Sequence, residues 1–141
     1  MPPLDSETQR WVVKWLRKAD QDLKLAQDNA ADPYHYDSVA YHCQQAAEKY
    51  VKAALVAHGI PYPYTHGLRT LLDELNTQLP VSEQQYEAAA FLNPFSTLTR
   101  YPTEDDVEPP TQELLTLATQ FRDWLRPTLA LAAGAGPYPT L

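Results

Sequence analysis

Tyr41-His42-Cys43-Gln44-Gln45-Ala46-Ala47-Glu48-Lys49-Tyr50-Val51-Lys52-Ala53 is the stretch on which the fold turns. Extended to residues 36–58, it places Val39, Cys43, Ala46, Ala47, Tyr50, Val51, Ala54 and Leu55 at spacings of three and four, the period of a helix face. Ala40, Ala53 and Ala57 add small side chains on other faces, so neighbouring helices can approach closely. The stretch reads as the central helix of a bundle, about 35 Å long at 1.5 Å per residue. His58-Gly59 followed by Pro61 is its stop signal.

The flanking sequence keeps the same period. Residues 6–30 carry Trp11, Trp15, Ala19, Leu23, Ala26 and Ala30 on one stripe, widened by Val12 and Leu16. Ser6 and Gln9 are spaced as a capping box at its start, and Asp32-Pro33 follows its end. A third, short helix is expected from Thr65 or His66 through Leu68, Leu71, Leu72 and Leu75. A fourth opens on a Ser82/Gln85 capping box and closes at Asn93-Pro94. Residues 94–110, with four prolines and the run Glu104-Asp105-Asp106, read as a long loop, a place where function often resides. A last helix starts near Thr111 and presents Leu114, Leu117, Ala118, Phe121, Trp124 and Leu125, with Pro127 ending or kinking it near Arg126. No useful strand-type alternation and no internal repeat is present. The expected fold is all-α: a four- to five-helix, mostly up-and-down antiparallel bundle over residues 6–131, with 132–141 as a flexible tail.

A chain of 141 residues builds one core. Its 11 Lys and Arg against 18 Asp and Glu give a net charge of −7, which argues against a broad electrostatic grip on nucleic acid. The charge is uneven. Residues 1–52 hold seven cations and eight acids, whereas residues 53–141 hold ten acids and only Arg69, Arg100, Arg122 and Arg126 as cations. Phosphate recognition in the second half is thereby confined to a small pocket around one of those four. The single Cys43 falls on the apolar stripe and reads as a core residue, with a reducing, cytoplasmic location expected. The opening Met1-Pro2-Pro3-Leu4-Asp5 lacks a basic-then-apolar leader pattern, and no run of about 18 apolar residues is long enough for a membrane span.

The site chemistry is sparse. His35, His42, His58 and His66 provide no i, i+4 pair on a helix, so no metal site is expected. The four glycines form no phosphate-cradling loop, and no cofactor is expected. Glu48 and Lys52 are spaced as a helical ion pair, and their plain reading is a solvated one. Trp11, Trp15 and Trp124 read as core or dimer contacts.

Taken in order, three segments resemble one family: Trp15-Leu16-Arg17-Lys18-Ala19-Asp20-Gln21-Asp22-Leu23, the Gln44-Gln45-Ala46-Ala47-Glu48-Lys49 helix, and Thr65-His66-Gly67-Leu68 with the later Thr99-Arg100-Tyr101-Pro102. The chain resembles the HEPN domain (higher eukaryotes and prokaryotes nucleotide-binding domain) from about residue 8 to residue 126. The resemblance implies a helical bundle that dimerises, often beside a minimal nucleotidyltransferase in toxin–antitoxin-like pairs. Many active relatives are metal-independent RNases carrying an Arg with a His beyond four to six intervening residues. Here Arg100 is followed by Tyr-Pro-Thr-Glu-Asp-Asp-Val-Glu, and no other Arg has a His at that spacing. Metal-free RNA cleavage needs a proton acceptor and a proton donor, roles for which His is suited and Arg is not.

The resemblance therefore implies a ligand-binding site of Arg100, Tyr101, Gln45, Glu48, Lys49 and Lys52. Its expected partners are a second copy of the chain, a minimal nucleotidyltransferase and a nucleotide or RNA phosphate. The enzyme alternative is an RNase toxin in which His66 meets Arg100 through space. A pure protein-interaction module is the third reading.

Overall fold

The computed structural model describes residues 4–62, 64, 67–99 and 101–129. The described residues form five α-helices: α1 (Ser6–Asn29), α2 (Tyr36–Ala57), α3 (Leu68–Leu75), α4 (Glu83–Leu92) and α5 (Thr111–Leu125). Single 3₁₀ turns at Pro33–His35, Asn93–Phe95 and Arg126–Thr128 join or close them. No strand occurs among the described residues. The all-α bundle expected from the periodicity is the fold of this chain. The proposed tail, 132–141, lies outside the described residues.

Helix α2 is the axis of the bundle. It packs along α1 and α5 and also touches α3 and α4. The small-residue pattern is the cause. Ala40, Cys43, Ala46, Ala47, Ala53 and Ala54 are fully or almost fully buried, so three sides of α2 meet neighbouring helices closely. Tyr50, Val51 and Leu55 fill the remaining volume, with Leu16 and Leu23 of α1, Leu71 and Leu72 of α3, and Leu114 and Phe121 of α5. Cys43 sits in this core, and burial pushes its thiol up to about 12.

Local chemistry sets the helix ends, with one correction. The first helix is capped not by Ser6 but by Asp5, whose carboxylate accepts from the Thr8 N–H at 2.8 Å. Asp is as good a cap as Ser, and placing it one residue earlier lets Ser6 enter the helix. The Ser82/Gln85 box forms as expected, with both reciprocal bonds made. Asp32 caps the 3₁₀ turn opened by Pro33, accepting from the Tyr34 N–H at 2.9 Å. Gly59 takes φ +67° just beyond α2, a left-handed conformation available to it without a Cβ penalty. The third helix begins at Leu68; the expected starting residues, Thr65 and His66, lie outside the described residues. Pro127 ends α5 in a single tight turn.

Candidate functional site

Three polar clusters line the α1–α2 seam, and α2 contributes to all of them. The innermost joins Asp20 of α1 to Tyr50, whose hydroxyl donates to the carboxylate at 2.5 Å. Arg126, beyond α5, pairs with the same carboxylate. Tyr50 is fully buried, and burial with the neighbouring Asp20 pushes its phenol far above its ordinary range. Its hydroxyl therefore acts as a fixed donor that ties α2 to α1, while Arg126 ties in the end of α5.

The second cluster centres on Asp22. Lys49 donates to one carboxylate oxygen at 2.5 Å, and His42 Nδ1 lies 2.8 Å from the other. The Tyr41 ring meets the His42 ring edge-on, with centroids 5.1 Å apart. One carboxylate of α1 thus clamps two side chains that stand seven residues, about two turns, apart on α2.

The third cluster is the Gln-Gln-x-x-Glu segment itself. Gln44 is fully buried and donates its amide to Glu48 at 3.3 Å. Gln45 donates to the Gln44 carbonyl oxygen at 2.7 Å and to Glu48 at 3.3 Å. Lys52 Nζ lies 2.9 Å from Glu48. The same ammonium sits over the rings of Trp15 and Tyr62, at 5.2 and 5.6 Å from their centroids, and those two rings meet edge-to-face. The Glu48–Lys52 pair is therefore not solvated, as its spacing suggested. Glu48 is almost wholly buried, because Gln44 brings it into the seam and the Tyr62 connector folds over Lys52.

Of the residues expected at a ligand site, the structure gathers Gln45, Glu48 and Lys52. Lys49 belongs to the neighbouring Asp22 cluster. Tyr101 is 86% exposed in the 96–110 loop and makes no hydrogen bond or ring contact among the described residues. Arg100 and His66, the two catalytic candidates, lie outside the described residues. The loop that carries Arg100 is fastened to α2 at both ends. At its start the Asn93–Phe95 turn packs on α2 and buries Phe95. At its close the Tyr36 hydroxyl, at the first residue of α2, donates to the Pro109 carbonyl at 2.5 Å.

Sequence reasoning missed Asp20, Asp22, Arg126 and Tyr62. Asp20 and Asp22 did leave a signal. Each is next to, or three to four residues from, Ala19, Leu23 or Ala26 on the apolar stripe, and a carboxylate at that boundary needs a buried partner. Arg126 left none, since its partner lies in a distant helix. Among the described residues no group of three or more His, Cys, Asp or Glu is arranged to hold a metal ion. No described helix is long and apolar enough to cross a membrane.

With this geometry in place, the similarities to known proteins fall into line. The HEPN domain profile matches residues 12–127. The crystal structure of TT1696 from Thermus thermophilus is similar at 28% identity and a TM-score of 0.72, over 84% of this chain and 98% of that one. ST0689, described as an archaeal HEPN homologue, shares the fold at 24% identity and a TM-score of 0.66, over 84% and 97% of the two chains. No curated protein shows significant similarity.

Proposed function

The chain belongs to the HEPN domain family, and on that premise we propose that it is the homodimeric binding component of a two-gene module with a minimal nucleotidyltransferase. Its ligand is a nucleotide or other phosphate anion. The cleft lies between the Gln45–Glu48–Lys52 face of α2 and the 96–110 loop. The observation that supports this reading is the double anchorage of that loop on α2, through Phe95 and through the Tyr36–Pro109 hydrogen bond. Anchored so, the loop starts and ends on the helix that carries the amide–carboxylate–ammonium cluster.

The roles follow from side-chain chemistry. Arg100 is the only cation in the loop sequence, and a guanidinium holds a phosphate through two parallel hydrogen bonds. Tyr101 offers an exposed ring on which a base can stack. Glu48 is neutralised by Lys52 and by the Gln44 and Gln45 amides, so it does not repel an anion as a free carboxylate would. The α2 cluster is therefore a rigid wall, and the loop supplies the charge that recognises the ligand.

Isothermal titration of the full chain with ATP, GTP and a short RNA tests this, on wild type and Arg100→Ala. The expected result is binding by the wild type, weakened at least about tenfold in the variant, or about 1.4 kcal/mol. Equal binding by both proteins, or none by either, removes the cleft. Co-purification with the product of a neighbouring nucleotidyltransferase gene tests the module separately.

A further inference from the structure

Along α1 lies a groove of about 770 Å³ whose lining includes Trp11, Lys14, Trp15, Arg17, Lys18 and, from α2, Lys49. Lys49 is held by Asp22, and Lys14, Arg17 and Lys18 add three further cations with no carboxylate in the lining, in a chain of net charge −7. Lys14 and Lys18 are exposed and form no ion pair among the described residues, and Trp11 is 48% exposed beside them. The groove is thus both basic and apolar. We propose that it receives the acidic 104–108 segment of a second copy of this chain.

Charge and shape chemistry match the two surfaces. The segment carries Glu104, Asp105, Asp106 and Glu108, all exposed. Among them stands the exposed apolar side chain of Val107. Glu104, Asp105 and Glu108 form no ion pair among the described residues. Asp106 shapes the tip, accepting from the Thr103 N–H at 3.0 Å and from its hydroxyl at 2.8 Å. Carboxylates for the lysines, and an apolar group for the Trp11 edge, come from one short stretch.

A nucleic-acid strand suits the groove less well. Base stacking needs an open ring face. One face of the Trp11 ring is taken by Lys14 Nζ at 4.5 Å from its centroid, and one face of Trp15 by Lys52 at 5.2 Å. The cationic heads fit carboxylates, and the rings beside them fit aliphatic groups.

If each copy gives its acidic segment to the other's groove, the contact is isologous, made twice about one two-fold axis.

The inference rests on the homodimer of the proposed function and assigns its surface. Sedimentation velocity of the full chain, at low and at high salt, with circular dichroism as a fold control, tests both. Wild type is expected to dimerise, less tightly in high salt. Lys14→Glu/Lys18→Glu and Glu104→Lys/Asp105→Lys are each expected to weaken the dimer at least about tenfold. An equimolar mixture of the two variants restores it, because both groove–loop contacts of the heterodimer are again between opposite charges. Variants that dimerise as wild type does, or a mixture that stays monomeric, overturn the assigned surface and leave the dimer standing. A wild type that is monomeric at every concentration overturns both. A mixed-sequence single-stranded RNA that binds wild type but not Lys14→Glu/Lys18→Glu, with dimerisation unchanged, overturns the assignment in favour of nucleic acid.

Discussion

The α1–α2 seam and the 96–110 loop are both rich in charge, and they use it oppositely. In the seam, Asp20, Asp22 and Glu48 are buried, and each meets a cation or a donor within hydrogen-bond distance. In the loop, residues 101–108 are exposed throughout, and Asp106 bonds back to Thr103. A buried charge costs several kcal/mol to desolvate and stays only if paired, so the seam's charges fix helix geometry. An exposed charge costs little and remains available to an outside partner. The difference separates residues that hold the helices together from residues left open to an outside partner.

The severest way to break this contrast is to remove a carboxylate from the seam. Asp20→Ala takes away the acceptor of the Tyr50 hydroxyl and the Arg126 counter-charge together. A loss of about 3–5 kcal/mol is expected in urea unfolding, the range for breaking a buried pair. A change under about 1 kcal/mol would show that the seam is not a structural clamp. Glu48→Ala is the next largest, at about 2–3 kcal/mol, because Lys52, the buried Gln44 amide and the half-buried Gln45 amide lose their acceptor. Glu48→Gln should recover part of that loss, since the amide oxygen still accepts.

The contrast also explains what the sequence disclosed. Helix number, order and the capping box at Ser82 follow from local rules, namely a period of 3.6 and short-range cap chemistry. The buried state of Glu48 does not. Its i, i+4 spacing to Lys52 is the same whether solvent or Tyr62 covers the pair, and Tyr62 arrives from a connector with no period to read. Arg126 is similarly silent, for it pairs with Asp20 across 106 residues of sequence. The candidate site was legible where its residues share one helix, as the clustered Gln45, Glu48 and Lys52 do, and opaque where separate segments converge.

At the loop the expected effects are smaller and local. Tyr36→Phe deletes only the hydroxyl that donates to Pro109. About 1 kcal/mol of stability should go. Amide exchange should rise across the 96–110 loop while α2 stays protected, which sharpens the distinction between anchor and loop. Equal acceleration in both would mean that the loop and seam open as one unit.

His58, at the end of α2, gives the seam's helix a pH signature. Its Nε2 is buried with no hydrogen-bond partner among the described residues, and burial holds the imidazole below its ordinary pKa. The unfolded chain therefore binds the proton more readily than the folded one. The stabilising contribution is complete above the unfolded value near 6.5 and is lost as pH falls toward the lower folded value. Thermal unfolding of wild type should show this slope, and His58→Leu should flatten it.

The smallest expected effect is the most pointed control. Lys24–Asp28 on α1 and Lys52–Glu48 on α2 are both i, i+4 ion pairs, at 2.6 and 2.9 Å. The first pair is more than half exposed on each side, whereas the Glu48 side chain is only 3% exposed. Distance alone would rank Lys24–Asp28 as the stronger. Solvent screening and the entropy of holding two long side chains reverse that order, so Lys24→Ala should change stability by less than about 0.5 kcal/mol. Truncating Glu48 should cost several times more, since the amides and the ammonium it leaves behind have lost their acceptor inside the seam. If the two substitutions cost the same in urea unfolding, burial would not be what separates seam from surface, and the loop's exposed carboxylates would lose their distinct standing as contacts for a partner.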